Sequence, residues 1–430
     1  MVAKSRKGSI IGLDGVPYGL LDDLSDREVM PNFRELKRDG NFVPMRSAIP
    51  ANSAVSWSSI ITGENPGEHG VYGFTDLMKG SYVSSYHSSL NLRARPFWRM
   101  DDSCYLVINL PAAYPAQEIN GALISGFVSP NIDRAVYPPS YAGKLKEQGY
   151  MVDVDSSKAQ KSKLLFFKEL NEALDRRMDA LRLLMAETDP DVLMFVITGT
   201  DRLEHYLWDA YNNRDHEWRQ ELLDFYGKVD EAIGYIASEI GDETPLMILS
   251  DHGMEGIEAG VNVNTYLAQC GYLDLEDNPR KSYNGIKSGT KAFALESARI
   301  YLNKVGKYPR GSVTRDSELQ LLEELTDLFQ KLEKNGRKVI RKVYRRDELY
   351  RGKELANAPD LILVPESGFN LKMGLHKEDL FERGFLTGKH TEEDAFLYVR
   401  GWEDDSSFPR DPTVEDALSI FRKTSGGRLG

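Results

Sequence analysis

At 430 residues the chain is long enough for two or three average domains, or for one large α/β core that carries an insertion. A formal charge of −12 argues against nucleic acid polymers and anionic membranes as bulk partners, because no cationic excess offsets phosphate repulsion. Two cysteines, Cys104 and Cys270, are too few for a disulfide framework or a thiolate zinc site, which fits a reducing compartment, although a single bridge between them is compatible with the count.

The opening segment MVAKSRKGSIIGLDG has basic residues but only a short apolar run, broken at Gly12 and Asp14, so it does not read as a secretory signal. No apolar run approaches the roughly 18 residues expected of a membrane-spanning helix. A soluble, cytoplasmic protein is the expectation. Ser9 to Leu13 reads as a short buried strand ending at Asp14, and MPNFRELKRDG as a helix with Pro31 in its first turn and Gly40 as its stop.

Next comes Ser47 to Gly70, SAIPANSAVSWSSIITGENPGEHG. After the extended, proline-interrupted start, SAVSWSSIIT has helix-compatible spacing and stops at Gly63, which puts Ser53 at a helix N-terminus. Free backbone N–H groups there favour an anion, and a metal that helps remove the proton favours the alkoxide form of a serine. Serine is also a common helix cap with no further role, so Ser53 gains weight only from the rest of the chain.

Cys104 to Leu110 and ALISGF read as strands flanking the loop PAAYPAQEING. From Ser157 to Glu187 the leucine and methionine spacing predicts one long amphipathic helix. It leads into Asp191 to Thr198, apolar throughout as a doubly covered strand should be, and this strand delivers GTDRLEH. A helix near Trp218 to Glu239 precedes the strand Pro245 to Ser250, which delivers Asp251-His252-Gly253. Strands alternating with helices imply a mostly parallel sheet covered on both faces, with sites beyond the carboxyl ends of its strands.

The region from about 256 to 375 differs, with charged stretches, a helix expected over Ser317 to Gly336, and short strands in ARIYLN and APDLILVP. It reads as an excursion from the core, a cap or accessory region. The chain returns through GKHTEEDAFLYVRG, a loop bearing His390 and then the strand Ala395 to Arg400, and ends in a helix near Val414 to Lys423. The expected division is a core of residues 1–255 and 376–430 with an inserted cap at 256–375.

The Asp and His residues at strand ends form an inventory: Asp14, Asp201, His205, Asp251, His252 and His390. Carboxylates and imidazoles without thiolates suit Zn²⁺, with Mn²⁺ as the alternative, and six such groups plus Ser53 suffice for two divalent ions.

The segments IIGLDG, IPANSAVSWSSIITGENPGEHG, TGTDRLEH, LSDHGM and GKHTEEDAFLYVRG, in this order, resemble the alkaline phosphatase superfamily, in particular its type I phosphodiesterase and nucleotide pyrophosphatase branch. The resemblance spans nearly the whole chain. It implies an α/β/α sandwich with a mostly parallel central sheet and an inserted cap, and it makes Ser53 the nucleophile where that branch usually has threonine. Asp14, Asp251 and His252 would hold one ion together with the Ser53 oxygen, and Asp201, His205 and His390 the other. The expected enzyme is a phosphodiesterase or pyrophosphatase acting on a small phosphorylated substrate through a phosphoserine. A phosphomutase or phosphomonoesterase with the same serine and ions, and an inactive metal-binding protein, are the rival readings.

Departures narrow the choice. HGVYGFTDL lacks the phosphate-contacting Asn of nucleotide pyrophosphatases, AVSWSSI after Ser53 lacks the Arg of bacterial alkaline phosphatases, and the absence of the x-Pro-x-Arg signature speaks against a sulfatase. His69 reads as a loop-stabilising imidazole, and His87, His216 and His376 as ordinary loop or surface histidines. Asn109, Tyr114, Arg299, Asn303 and Lys307 lie in segments similar to phosphohydrolases and phosphomutases of the superfamily, and read as loop scaffolding in preference to substrate contacts.

Overall fold

The computed structural model describes residues 6–276, 282–296, 298–375, 377–402 and 407–426. Eight strands form its largest sheet: β1 (Gly8–Leu13), β2 (Asn41–Met45), β3 (Tyr105–Leu110), β4 (Gly121–Ser125), β5 (Val136–Tyr137), β6 (Val192–Ile197), β7 (Leu246–Leu249) and β8 (Ala395–Arg400), in the order β2-β8-β7-β1-β6-β3-β4-β5. The five central strands run parallel, and β2, β8 and β5 pair antiparallel at the two edges.

Alternation along each strand divides the core in two. Ile11, Ile108, Phe195, Ile248 and Phe396 join one apolar cluster with helices α2 (Lys163–Thr188), α3 (Gly199–Asn212) and α4 (Arg219–Ile240). Ile10, Val107, Met194, Met247 and Leu397 join the other, with α1 (Ser53–Thr62) and the helix Ala417–Thr424. Period-two side chains on strands buried on both faces give this three-layer α/β/α arrangement.

The chain divides into two compact units. One comprises Met1–Glu64, Ser88–Met254 and Phe385–Gly430 and contains the large sheet; the other comprises Asn65–His87 and Glu255–Gly384. The second unit has its own core around a four-stranded antiparallel sheet, ordered Ala292–Leu295, Arg299–Leu302, Leu361–Pro365, Ile340–Arg345, against the helix Arg315–Gln330. Residues 65–87 are tied into it: Asn65 Oδ1 accepts from Arg351 N at 3.1 Å, and Arg299 Nη2 donates to Thr75 O at 2.6 Å.

Two expected helices are shorter than their apolar spacing predicts. Ser162 adopts an extended backbone, φ −159°, and caps α2 by accepting from Leu165 N, so a separate short helix, Ser157–Lys161, precedes it. Leu164 and Leu165 are consequently 66% and 54% exposed. The helix expected to reach Gly336 ends at Gln330 instead, because Asn335 and Gly336, at φ 52° and 77°, turn a small hairpin between Glu333–Lys334 and Arg337–Lys338.

Candidate metal centre

The carboxyl ends of three adjacent parallel strands supply most of the site. Asp14 follows β1, Asp251 and His252 follow β7, and α3, which begins directly after β6, presents Asp201 and His205 one helical turn apart. Ser53 opens α1. Its neighbour Asn52 is the cap, with its side chain accepting from Ala54 N at 3.1 Å, so the Ser53 hydroxyl is not consumed in capping. His390 comes from the strand Gly388–Thr391. All seven residues lie in the first unit.

They converge. Ser53 Oγ is 3.3 Å from Asp14 Oδ1 and 3.1 Å from His252 Nε2. Asp201 Oδ1 is 3.1 Å from His390 Nε2 and 3.2 Å from His205 Nε2, and the two imidazole Nε2 atoms are 2.9 Å apart. The His252 and His390 rings stack at 3.6 Å between centroids. Among the described residues, the groups whose ligand atoms lie within 4.8 Å of one another are Asp14, Asp251 and His252, and Asp201, His252 and His390.

A repeated pattern orients these groups. Each histidine directs Nδ1 at a backbone carbonyl: His205 at Gly388 O (2.9 Å), His252 at Gly253 O (3.0 Å) and His390 at Ala51 O (3.1 Å). A carbonyl only accepts, so Nδ1 carries the hydrogen and Nε2 of each neutral ring faces inward as a lone pair. Each carboxylate likewise gives one oxygen to an N–H donor. Trp57 Nε1 takes Asp14 Oδ2 at 2.9 Å, Gly15 N takes Asp251 Oδ1 at 3.1 Å, and Arg202 Nη1 takes Asp201 Oδ2 at 3.1 Å. The other oxygen of each faces the centre.

Six acceptors thus meet around the Ser53 hydroxyl. Among the described residues, no hydrogen-bond donor reaches the buried Asp251 Oδ2. This donor set fits divalent cations, which satisfy inward-facing carboxylate oxygens and imidazole lone pairs together. In the metal-free chain, protons must relieve the same conflict. Burial raises the Asp251 carboxyl to about 8, and burial with the charges of Asp251 and Asp201 raises Asp14 well above its ordinary value. Burial also lifts Asp201, but the adjacent His205 and His390 outweigh it and hold Asp201 well below the usual range. Burial lowers His252 to about 4 and His390 to about 3, whereas Asp201 overcomes burial and raises His205.

Other polar residues spend their groups on the fold. Asn109 Nδ2 donates to Val196 O, Asn303 Nδ2 to Thr290 O and Arg310 O, and Arg299 to Glu296 O, Thr75 O and the Tyr301 hydroxyl. His69 is buried with Nδ1 accepting from Val71 N at 3.2 Å, in keeping with a loop role. His87 and His216 are half-buried. His376 lies outside the described residues. The orienting donors Trp57 and Arg202 were not anticipated from the sequence; their only signals are an indole one turn after Ser53 and a guanidinium next to Asp201.

A family model for type I phosphodiesterase / nucleotide pyrophosphatase matches residues 9–392. The chain belongs to that family. It is accordingly an enzyme of the phosphoric ester hydrolase class, in which metal dependence is typical. No curated protein matches it in sequence. Among solved structures, phosphonoacetate hydrolase from Sinorhizobium meliloti 1021 in complex with phosphonoformate aligns with a TM-score of 0.67 at 17% identity, covering 98% of this chain and 96% of that one. Murine ectonucleotide pyrophosphatase / phosphodiesterase 5, in an inactive form in complex with AMP, aligns at 0.56 and 14% identity, over 98% and 95% of the two chains. At these identities the likeness shows the shared fold of this family member. Among the described residues, no helix is long and apolar enough to cross a membrane.

Proposed function

We propose that this family member hydrolyses a small phosphoester, a diester in preference to a monoester, with Ser53 as nucleophile and a phosphoserine as intermediate. The observation that supports this is the convergence of the Ser53 hydroxyl with three inward carboxylate oxygens and three inward imidazole nitrogens in one buried site. Asp14, Asp251 and His252 with Ser53 Oγ would hold one divalent ion, and Asp201, His205 and His390 the other, Zn²⁺ being the first choice for this donor set and Mn²⁺ the second. When bound, two such ions supply Lewis-acid chemistry: they lower the pKa of hydroxyl groups and offset the charge of a phosphoryl group during in-line displacement.

The chain itself contributes orientation. Ser53 is 6% exposed, and its Oγ forms a bond to phosphorus as the bond from phosphorus to the leaving oxygen breaks, the serine proton finishing on the leaving group. Water then attacks phosphorus, the bond to Ser53 Oγ breaks, the serine oxygen regains a proton from that water, and the product, a phosphomonoester where the substrate is a diester, leaves. Fixed N–H donors on Asp14, Asp201 and Asp251 keep the negative groups in place through both steps, so little reorganisation is needed. A reducing, cytoplasmic location is part of the same proposal, in line with a sequence of only two cysteines.

The test is Ser53→Ala, assayed on bis(4-nitrophenyl) phosphate with added Zn²⁺ or Mn²⁺. Turnover is expected to fall by on the order of 10³-fold or more, while metal content stays near two ions per chain. Wild-type turnover in the variant would exclude Ser53 as nucleophile.

A further inference from the structure

We infer that Arg202, anchored by Asp153, is a positioning residue that sets the inward oxygen of Asp201 and thereby governs the affinity of the Asp201–His205–His390 half of the centre. The inference rests on the metal-centre reading given above.

Three carboxylates enter the centre, and their outward oxygens are held differently. Asp14 is held by a neutral indole and Asp251 by a backbone amide, whereas Asp201 is held by a guanidinium. Arg202 follows Asp201 directly on α3, so their side chains leave the helix in different directions and the contact is made edge-on, through Nη1 alone at 3.1 Å. The rest of the guanidinium is committed elsewhere. Nη2 reaches Asp153 Oδ2 at 2.9 Å, and Nε lies 3.3 Å from both Asp153 oxygens. The guanidinium carbon sits 4.4 Å from the centroid of the Phe127 ring.

This is not an ordinary surface ion pair. The side chains of Asp201, Arg202 and Asp153 are only 6%, 17% and 20% exposed, so solvent screening is reduced and the fork geometry is fixed on two sides. The chemistry gives the arrangement a consequence. The Asp14–Asp251–His252 half offers two carboxylates, while the Asp201 half offers one carboxylate and two imidazoles with a cation beside that carboxylate. Asp153 neutralises this cation. Without Asp153, the full positive charge of Arg202 would compete with an ion for Asp201; without Arg202, Asp201 could rotate and lose the single-oxygen presentation that brings Oδ1 within 3.2 Å of both ring nitrogens.

The experiment is calorimetric titration of the full-length, metal-stripped chain with Zn²⁺, paired with thermal melting in EDTA, for wild type, Arg202→Met, Arg202→Lys and Asp153→Asn. Wild type is expected to take up two ions. Arg202→Met should keep one at wild-type affinity and bind the other about 10- to 100-fold more weakly, as is typical when an outer partner of a ligand is lost. Arg202→Lys keeps a donor to Asp201 but not the fork to Asp153 and should fall between; Asp153→Asn should weaken the same single ion. If Arg202→Met does not fold, the two milder variants carry the test. Two wild-type affinities in all folded variants would overturn the inference and leave the metal-centre reading intact. Equal weakening of both ions together with a lower melting temperature in EDTA would also overturn it, since a merely structural residue behaves that way. A wild-type chain that binds no Zn²⁺ would remove the metal-centre reading and this inference together.

Discussion

A single hydrogen bond fixes the outward oxygen of Asp14: Trp57 Nε1 donates to Oδ2 at 2.9 Å from a fully buried ring. Trp57→Phe keeps most of the apolar volume and deletes the donor, which leaves a buried carboxylate oxygen without a partner. Such a loss costs about 1–3 kcal/mol, more when the acceptor is charged. The expected outcome is a chain that melts lower in EDTA and binds the Asp14-side ion about 10- to 100-fold more weakly, with the Asp201-side ion unaffected; metal titration with denaturant unfolding measures both. The inward-facing residues were legible in the sequence because each follows an apolar run that ends at an Asp or His, or sits in a short motif of fixed spacing. Trp57 and Arg202 were not, because what they do is set by a partner's second oxygen, which depends on side-chain rotamers. For Trp57 that partner is also 43 residues away.

At the level of elements, α1 seats on β1 through an absence of side chain. A Cβ on Gly12 would lie 2.3 Å from Trp57 Cη2, whereas one on Gly19, in the helix Tyr18–Asp26, would meet nothing within 4 Å. Gly12→Ala must therefore push the indole, and with it the start of α1, off the strand. The cost expected is about 1–3 kcal/mol, the usual range for overpacking a filled core, together with weaker metal retention on the Asp14 side because the indole N–H moves. Gly19→Ala should be neutral or slightly stabilising, since alanine is favoured over glycine inside a helix. Equal melting temperatures for the two variants would show that the helix tolerates the added methyl group. The same packing explains how far elements could be read in advance. The central strands were clear, because a run buried on both faces has no polar interruption, and the layers followed from strand–helix alternation. The helix ends over residues 157–187 and 317–336 depart from expectation because apolar spacing continues past Ser162 and towards Gly336, where a capping serine and an Asn-Gly turn decide the backbone.

For the molecule as a whole, an acidic chain of net charge −12 has gathered three carboxylates in one buried pocket, which is unfavourable until cations or protons arrive. This makes stability depend on metal and pH together. Asp251 carries a folded-state value of about 8 against an ordinary 3.8, so the metal-free native state binds its proton more tightly than the unfolded chain does. Its contribution therefore becomes steadily less favourable as pH rises from about 3.8 to about 8. Asp14, raised by burial, acts in the same direction, and the stabilisation carried by His205, raised by Asp201 against its burial, is lost as pH rises through its folded value. His252 and His390, lowered by burial to about 4 and about 3, are already neutral in both states above their ordinary 6.5, so they add no slope there. Bound ions replace those protons, and their affinity must increase with pH over the same interval. Between pH 7 and 9 the melting temperature in EDTA is expected to fall while that with excess Zn²⁺ falls less, so the gap between them widens. A free ion concentration 100 times the dissociation constant gives about 2.7 kcal/mol, and each further tenfold gain in affinity adds about 1.4 kcal/mol. A gap that stays constant from pH 7 to 9 would mean that loading releases no protons, and that Asp14 and Asp251 are not displaced from their protonated state by the metal.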